Sequence, residues 1–195
     1  DLTADYPDVA LIPILSEERG VRAVLKKWMR KGRLPDALVI EHPGHAGGHL
    51  GATRIEDVGD ARFDFRRVLA EIQKVIRELG LGIEKIPLIP AGGINSFEKL
   101  KALFDLGANG AQIGTPFAVT EEADAHPNFK KVLTEALPKD IVTFLSAAGL
   151  PARAVLTPWL KRYLAREDKL RAEASPACAQ CPSRTECLTH CGFKD

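Results

Sequence analysis

The sequence contains no apolar stretch of the roughly 20 residues that a membrane-spanning helix needs. Residues 1–15 have no basic segment followed by a long apolar one, so no secretory signal is visible and we expect a cytoplasmic protein. Nor is there a marked excess of charge, since 27 basic and 26 acidic residues give a formal net charge of +1. This balance supplies no broad basic surface, and we expect neither nucleic acid nor membrane among the partners.

Cysteine is absent before position 178, and all four cysteines fall in the last 18 residues. This clustering argues against a disulfide framework spread through a secreted core, and a reducing cytosol disfavours two disulfides. The spacing Cys178-x₂-Cys181-x₅-Cys187-x₃-Cys191 can surround one tetrahedral ion or one cubane cluster. Four thiolates suit zinc, whereas the similarity of this spacing to the auxiliary iron–sulfur motif of some radical enzymes slightly favours [4Fe–4S]. Such a site would serve either electron transfer or a structural clasp.

Apolar runs and amphipathic stretches alternate along the chain, which at 195 residues is long enough for one sizeable core. Continuous apolar runs predict strands at residues 9–15, 37–40, 86–91 and 110–114. Pro13 weakens the first of these. Apolar residues at helical spacing predict helices over residues 21–29 and 65–79, and a third that Asn95 caps and Gly107 ends. Because parallel neighbours need helical crossovers, the alternation predicts a parallel α/β architecture.

Residues 121–170 have a different character. We expect them to be mainly helical, with Pro138, Pro151 and Pro158 as breaks. Trp159 and Tyr163 are four residues apart and are predicted to form a packing pair on one helix face.

Two glycine clusters end apolar runs. They are Ile89-Pro90-Ala91-Gly92-Gly93-Ile94 and Ala111-Gln112-Ile113-Gly114-Thr115, and Gly114 follows Gly93 by 21 residues. This spacing equals about one helix plus one strand, so both clusters should face each other at one end of a parallel sheet. Glycine lets backbone N–H groups approach an anion closely, which predicts a phosphate site. The alternative is that these glycines form only tight turns. Paired phosphate loops are frequent after the last two strands of an eight-stranded barrel.

Four segments in order carry a resemblance to a known family. They are Ala46-Gly47-Gly48-His49-Leu50-Gly51, Pro87 to Ile94, Leu106 to Phe117, and Gly149-Leu150-Pro151-Ala152-Arg153-Ala154. With these segments the chain resembles, over residues 9–160, the nitronate monooxygenases and their relatives, the FMN-dependent enoyl-acyl-carrier-protein reductases. The resemblance implies a (β/α)₈ TIM barrel of which this chain supplies the second half.

That reading divides the chain into three parts. Residues 1–120 would form the C-terminal half of an FMN-binding TIM barrel, 121–170 a helical extension, and 171–195 a Cys-rich metal-binding tail. Four βα units alone would leave strand edges unpaired, which is costly. We therefore expect the first half to come from a longer natural chain or from another chain, which leaves a homo-oligomer open.

The resemblance also implies roles for individual residues. Gly92, Gly93, Gly114 and Thr115 would hold the FMN phosphate, and Gly47 and Gly48 would line the isoalloxazine edge. His49 would stand beside the flavin, where a histidine can remove the acidic α-proton of a nitroalkane or hold an anionic nitronate. His45 occupies a position where many family members carry a carboxylate. We expect His42 and His45 to be loop histidines that hydrogen-bond the backbone, and the matched Arg153 has no role that the pattern assigns.

The function implied is an FMN-dependent oxidoreductase that oxidises alkyl nitronates with O₂. An NAD(P)H-dependent flavin enoyl reductase of the same fold is one alternative. A non-catalytic half-barrel assembly module is the other, and the missing half motivates it.

Overall fold

A parallel sheet lies at the centre of the computed structural model, which describes residues 6, 8–47, 51–146, 150–167 and 169. Its strands are β1 (Ile14–Leu15), β2 (Leu38–Glu41) and β3 (Leu88–Ala91), side by side in that order. Helix α1 (Glu18–Met29) connects the first pair and helix α2 (Phe65–Glu78) connects the second. After helix α3 (Phe97–Asp105), a parallel bridge between Ala91 and Gln112 extends the sheet beyond β3. The three strands and this bridge confirm the predicted parallel α/β architecture, although the strand predicted over residues 110–114 is reduced to the single bridge at Gln112.

Smaller elements complete the described part of the chain. The remaining helices are α4 (Thr115–Ala118), α5 (Pro127–Glu135) and α6 (Pro158–Leu164). Strands β4 (Ile141–Leu145) and β5 (Pro151–Val155) form an antiparallel pair. Short 3₁₀ turns occupy Pro43–His45, Ile55–Asp57, Ala61–Phe63, Ile83–Lys85 and Pro138–Asp140. Within the described ranges, no helix has the length and apolarity to cross a membrane.

The main core lies between one face of the parallel sheet and helices α1 and α2. Leu38 and Ile40 of β2 and Leu88 of β3 are completely buried there, in one cluster with the inward residues of both helices. The helix contribution comes from Val21, Leu25, Val68, Leu69, Ile72, Val75 and Ile76. Because side chains alternate along a strand, Val39 and Glu41 belong to the opposite face of β2. This opposite face of the sheet is turned toward the candidate site, which Glu41 reaches from the carboxyl end of β2.

The first predicted strand is shorter than expected. The sequence predicts a strand over residues 9–15, whereas β1 contains only Ile14 and Leu15. Proline has no backbone N–H to donate to a neighbouring strand. Pro13 contacts strand β2 only through its carbonyl, which accepts from the N–H of Val39 at 3.1 Å. The N–H of Leu11 donates instead to the carboxylate of Asp36 at 2.7 Å. The backbone N–H of Asp36 also donates to the carbonyl of Leu11 at 3.0 Å, so the segment before β1 is held by single backbone bonds and one carboxylate rather than by a full ladder.

Helices α1 and α2 confirm the predictions for residues 21–29 and 65–79, but the predicted cap of α3 is wrong. Ser96, not Asn95, is the N-cap, and its hydroxyl accepts from the N–H of Lys99 at 3.3 Å. Asn95 accepts instead from the ammonium of Lys99 at 2.8 Å. Both residue types cap helices well, so the sequence alone did not distinguish two adjacent candidates.

The prediction that residues 121–170 are mainly helical is wrong for residues 141–145 and 151–155, which are the two antiparallel strands of the β4–β5 hairpin. Ile141, Val142, Thr143 and Phe144 are β-branched or aromatic, the types that favour strands. The prolines read as helix breaks stand at element starts, since Pro151 begins β5 and Pro158 begins α6. The predicted pair of Trp159 and Tyr163 is confirmed, with stacked rings 5.7 Å apart.

Candidate functional site

A cavity of about 450 Å³ opens at the carboxyl ends of β2 and β3. Both predicted glycine corners line it, through Gly92 and Gly93 on one side and Gly114 and Thr115 on the other. Gly47 of the loop after β2 also lines it. The Ala91–Gln112 bridge holds the two corners side by side, because each corner follows one of these paired residues. The structure therefore brings together all the predicted cofactor-binding residues that it describes.

The corner after β3 requires glycine. Gly92 has φ +107° and Gly93 has φ +72°, conformations that strain residues with a side chain. A Cβ added at Gly93 would lie 2.9 Å from a ring carbon of His45. Two independent constraints, backbone conformation and close packing, thus explain the glycine pair.

The corner after Gln112 is open. A Cβ added at Gly114 would meet no atom within 4 Å, although this residue lines the cavity. Among the described residues, none accepts a hydrogen bond from the backbone N–H of Gly93, Gly114 or Thr115. Backbone N–H groups without a protein acceptor beside a cavity are suited to binding an anion.

Two histidines of the loop after β2 pack against each other with ring centres 4.7 Å apart. His42 accepts a hydrogen bond from the N–H of Gly44 at 3.0 Å, which confirms the predicted backbone contact. Burial lowers its pKa. His45 differs, because within the described ranges its imidazole has no hydrogen-bond partner and it packs against Gly93. Burial lowers the pKa of His45, and the positive charges of His42, Arg153 and Lys99 lower it further.

Two cations near the glycine corners received no role from the sequence. Arg153 lies on β5 and lines the cavity, and its backbone N–H donates to the carbonyl of Gly47 at 3.1 Å. The ammonium of Lys99 donates to the carbonyl of Gly93 at 3.1 Å as well as to Asn95. The position of Arg153 in a matched segment was a signal for the first, whereas nothing in the pattern singled out Lys99.

Glu41 is a third residue that the sequence reasoning missed. It ends β2, pairs with Ala91 across the sheet and lines the cavity. Partial burial raises the pKa of its carboxyl group. A carboxylate at the end of an otherwise apolar strand was the available signal, since the carboxyl ends of parallel strands are where ligands bind.

Several predicted residues lie outside the described residues. These are Gly48, His49, Cys178, Cys181, Cys187 and Cys191. Over the ranges that the structure does describe, no group of three or more His, Cys, Asp or Glu side chains is arranged to hold a metal ion.

Comparison with known proteins gives the family. The sequence model for nitronate monooxygenase matches residues 3–186. The chain belongs to the nitronate monooxygenase family. It is 28% identical over 124 residues to a "Probable nitronate monooxygenase" of Bacillus subtilis (strain 168), a match covering 64% of this chain and 33% of that protein. A protein of the same description from Staphylococcus saprophyticus is 27% identical over 138 residues, covering 68% and 36%.

Solved structures agree with this assignment. FabK from Thermotoga maritima is similar with a TM-score of 0.63 and 26% identity, over 90% of this chain and 49% of that one. Nitroalkane oxidase from Streptomyces ansochromogenes gives a TM-score of 0.58 and 30% identity, over 80% and 41%. These matches confirm the resemblance to nitronate monooxygenases and their enoyl-reductase relatives. The chain spans about a third of the curated relatives' length and less than half of these solved chains.

Proposed function

We propose that this chain contributes the phosphate-binding half of an FMN-dependent oxidoreductase that oxidises alkyl nitronates with O₂. The observation that carries the proposal is the meeting of two glycine corners on one cavity. Gly93 after β3 and Gly114 after the bridge both line it, and their N–H groups have no acceptor among the described residues. Membership of the nitronate monooxygenase family supports the same reading.

The cavity fits the phosphate end of FMN by two tests. The first is available space, because a Cβ added at Gly114 would meet no protein atom within 4 Å. The second is polarity, because burying a phosphate dianion without partners is prohibitive and the corners offer N–H donors together with the Thr115 hydroxyl. Gly93, Gly114 and Thr115 would hold the phosphate, while Gly92 permits the turn that presents them.

The chain's own residues would then bind and orient both ligands. When bound, FMN would supply a ring that accepts electrons from the nitronate and passes them to O₂. Gly47 and Gly48 would leave access to the ring edge. His49 would remove the acidic α-proton of a nitroalkane or hold the anionic nitronate by a charge-assisted hydrogen bond.

The first half of the barrel is part of the proposal. Among the described residues, β1 pairs only with β2, and Ile14 on β1 is 54% exposed. Ile12 just before it is 47% exposed. An edge strand with apolar residues calls for a neighbour, which further sequence or another chain, including a second copy, would supply.

The test uses stopped-flow mixing of the intact protein, first loaded with FMN, under anaerobic conditions. An alkyl nitronate should bleach the flavin absorbance, and His49→Gln should slow the bleaching while leaving FMN bound. His126→Asn is the matched control, because His126 only caps α5 and asparagine can also accept from the N–H of Asn128. Rapid bleaching by NAD(P)H with none by nitronates would contradict the proposal.

That contrary outcome would favour the second candidate, an NAD(P)H-dependent enoyl reductase. Its specific support is the similarity to FabK, which has the higher TM-score of the two solved structures above. A third candidate, the non-catalytic assembly module, predicts a colourless protein. An FMN absorption band that survives gel filtration of the intact protein would therefore exclude it.

The cysteine tail carries a separate proposal, a [4Fe–4S] cluster with zinc as the alternative. Iron in elemental analysis with a broad brownish band would support the cluster, whereas stoichiometric zinc without that band would support zinc. The expected cytoplasmic location and the division at residues 120 and 170 stay predictions.

A further inference from the structure

The imidazole of His45 forms part of the wall of the glycine corner after β3. Ring carbons of His45 lie 2.9 and 3.0 Å from the place where a Cβ at Gly93 would be, and its own Cβ lies 3.0 Å from that place at Gly92. His45 lines the same cavity as Gly114. Its ring is therefore adjacent to the N–H groups that would hold a phosphate.

Two elements bring permanent positive charge to this corner, and a neighbouring loop residue adds a second imidazole. Arg153 comes from β5, and its guanidinium acts on His45 through space. Lys99 comes from α3, and its ammonium is fixed beside the corner by the carbonyl of Gly93 at 3.1 Å. His42, on the same loop as His45, is in ring contact with it.

Negative charge near the corner is limited in the described part of the chain. Glu41 is the carboxylate that lines the same cavity, and burial raises its pKa, which favours its neutral form. Asp64 lines a neighbouring cleft with Arg66 and acts on His42. Its carboxylate also accepts from the N–H of Arg66 at 2.8 Å, as the cap of α2. Among the described residues, Arg153 and Lys99 outnumber Glu41, the carboxylate that lines the cavity, and such an excess of cations around N–H donors is suited to an anionic ligand.

We propose that His45, Arg153 and Lys99 form a cationic wall of the phosphate cradle, and that His45 takes up a proton when a phosphate group binds at Gly93 and Gly114. The proposal rests on the proposed function, since the phosphate is that of FMN. His45 also stands where the family resemblance leads one to expect a carboxylate, which would repel the phosphate. Proton uptake by this residue would therefore be a property of this chain rather than of the whole family.

The sign of the effect follows from the charges. In the free protein, desolvation and the nearby cations hold the pKa of His45 below its ordinary value, so the ring is mostly neutral at neutral pH. A phosphate dianion beside the ring favours the charged form and raises the pKa. By linkage, binding then takes up a proton. Affinity for the phosphate therefore falls as pH rises from the pKa of His45 in the free protein to its higher pKa in the complex.

The experiment is isothermal titration calorimetry of the intact protein after its flavin has been removed. FMN is titrated near neutral pH in two buffers of different ionisation enthalpy, which gives the number of protons taken up. Riboflavin, which lacks the phosphate, is titrated in the same way. The variants are His45→Gln and Arg153→Gln, with His126→Asn as the control for loss of a histidine away from the cavity.

We expect net proton uptake with FMN, and none with riboflavin or in His45→Gln. Arg153→Gln should weaken FMN binding about ten-fold, as expected for one charge-assisted contact, and riboflavin binding much less. The comparison of FMN with riboflavin in the unmutated protein keeps the test valid even if a variant fails to fold.

Two outcomes overturn the inference, and they can be told apart. If FMN binds with the same proton uptake in His45→Gln, or with none in the unmutated protein, the inference is wrong and the proposed function stands. If FMN and inorganic phosphate both fail to bind the intact protein, the proposed function fails along with it.

Discussion

The backbone N–H of Arg153 donates to the carbonyl of Gly47 at 3.1 Å, which joins the β4–β5 hairpin to the loop after β2. The two segments are more than a hundred residues apart in sequence and form two sides of one cavity. Tyr163 of α6 supports the hairpin from behind, since its ring packs edge-on against Phe144 at 5.9 Å. The region after the parallel sheet is thus a structural wall of the site.

The two glycine corners should respond differently to alanine. Gly93→Ala places a side chain at φ +72° and against His45, so the free energy of unfolding should fall by about 1–3 kcal/mol. Gly114→Ala meets open space, so it should stay within about 1 kcal/mol of the unmutated protein yet bind FMN more weakly. Denaturant unfolding and FMN titration measure the two effects. Full FMN affinity in Gly114→Ala would contradict the assignment of that corner.

Two neighbouring substitutions distinguish Ser96, the N-cap of α3, from the adjacent Asn95. Ser96→Ala removes the hydroxyl that accepts from Lys99 N–H and should lower the free energy of unfolding by about 1 kcal/mol. Asn95→Ala removes only an exposed contact with the Lys99 ammonium and should cost a few tenths of a kcal/mol. Urea unfolding of both variants checks the order, and a larger loss in Asn95→Ala would show that the cap is misassigned.

Glu41 should make stability depend on pH in a defined direction. Its folded-state pKa is raised by burial, so the folded protein binds this proton more tightly than the unfolded chain does. The contribution of Glu41 to stability is therefore lost as pH rises from its ordinary pKa through the raised one. Glu41→Gln should match the unmutated protein at low pH and be the more stable of the two at neutral pH. Melting temperatures across this range provide the measurement, and parallel pH curves would argue against a buried carboxylate.

Packing of α2 on the sheet should dominate stability. Ile72 is completely buried in the main core, and Ile72→Ala should lower the free energy of unfolding by about 2–5 kcal/mol. Lys101→Ala is the comparison, because it removes only an exposed ion pair with Asp105 and should cost less than about 0.5 kcal/mol. Chemical denaturation of the two variants gives both values. Similar losses would mean that the described core is not the one that holds the fold.

Each feature that could be predicted produces a local pattern in the sequence. These features are the parallel strands, the helices and the meeting of the glycine corners. Continuous apolar runs marked β2 and β3, helical spacing marked α2, and paired glycines marked the corner at Gly92 and Gly93. The antiparallel strands β4 and β5 were not predicted, because Pro151 was interpreted as a helix break although it begins a strand. Ile141, Val142 and Phe144 are of types that favour strands and were the available local signal.

The positively charged residues of the site could not be identified from the sequence, because their positions depend on the folded chain. Lys99 lies on an exposed helix surface by pattern, and only the folded chain brings its ammonium to the carbonyl of Gly93. Arg153 reaches the cavity through the hairpin, so its proximity to His45 is tertiary information. Glycines were identifiable because their role is in their own backbone, whereas these cations act through neighbours.

The open side of β1 has a practical consequence for handling this segment. Its backbone donors and acceptors on that side lack a described partner strand, and Ile12 and Ile14 lie beside them. A second molecule can extend such an edge by intermolecular strand pairing. Solutions of residues 1–195 should scatter more light as concentration rises, and coexpression with the first half of the barrel that we propose should suppress that self-association.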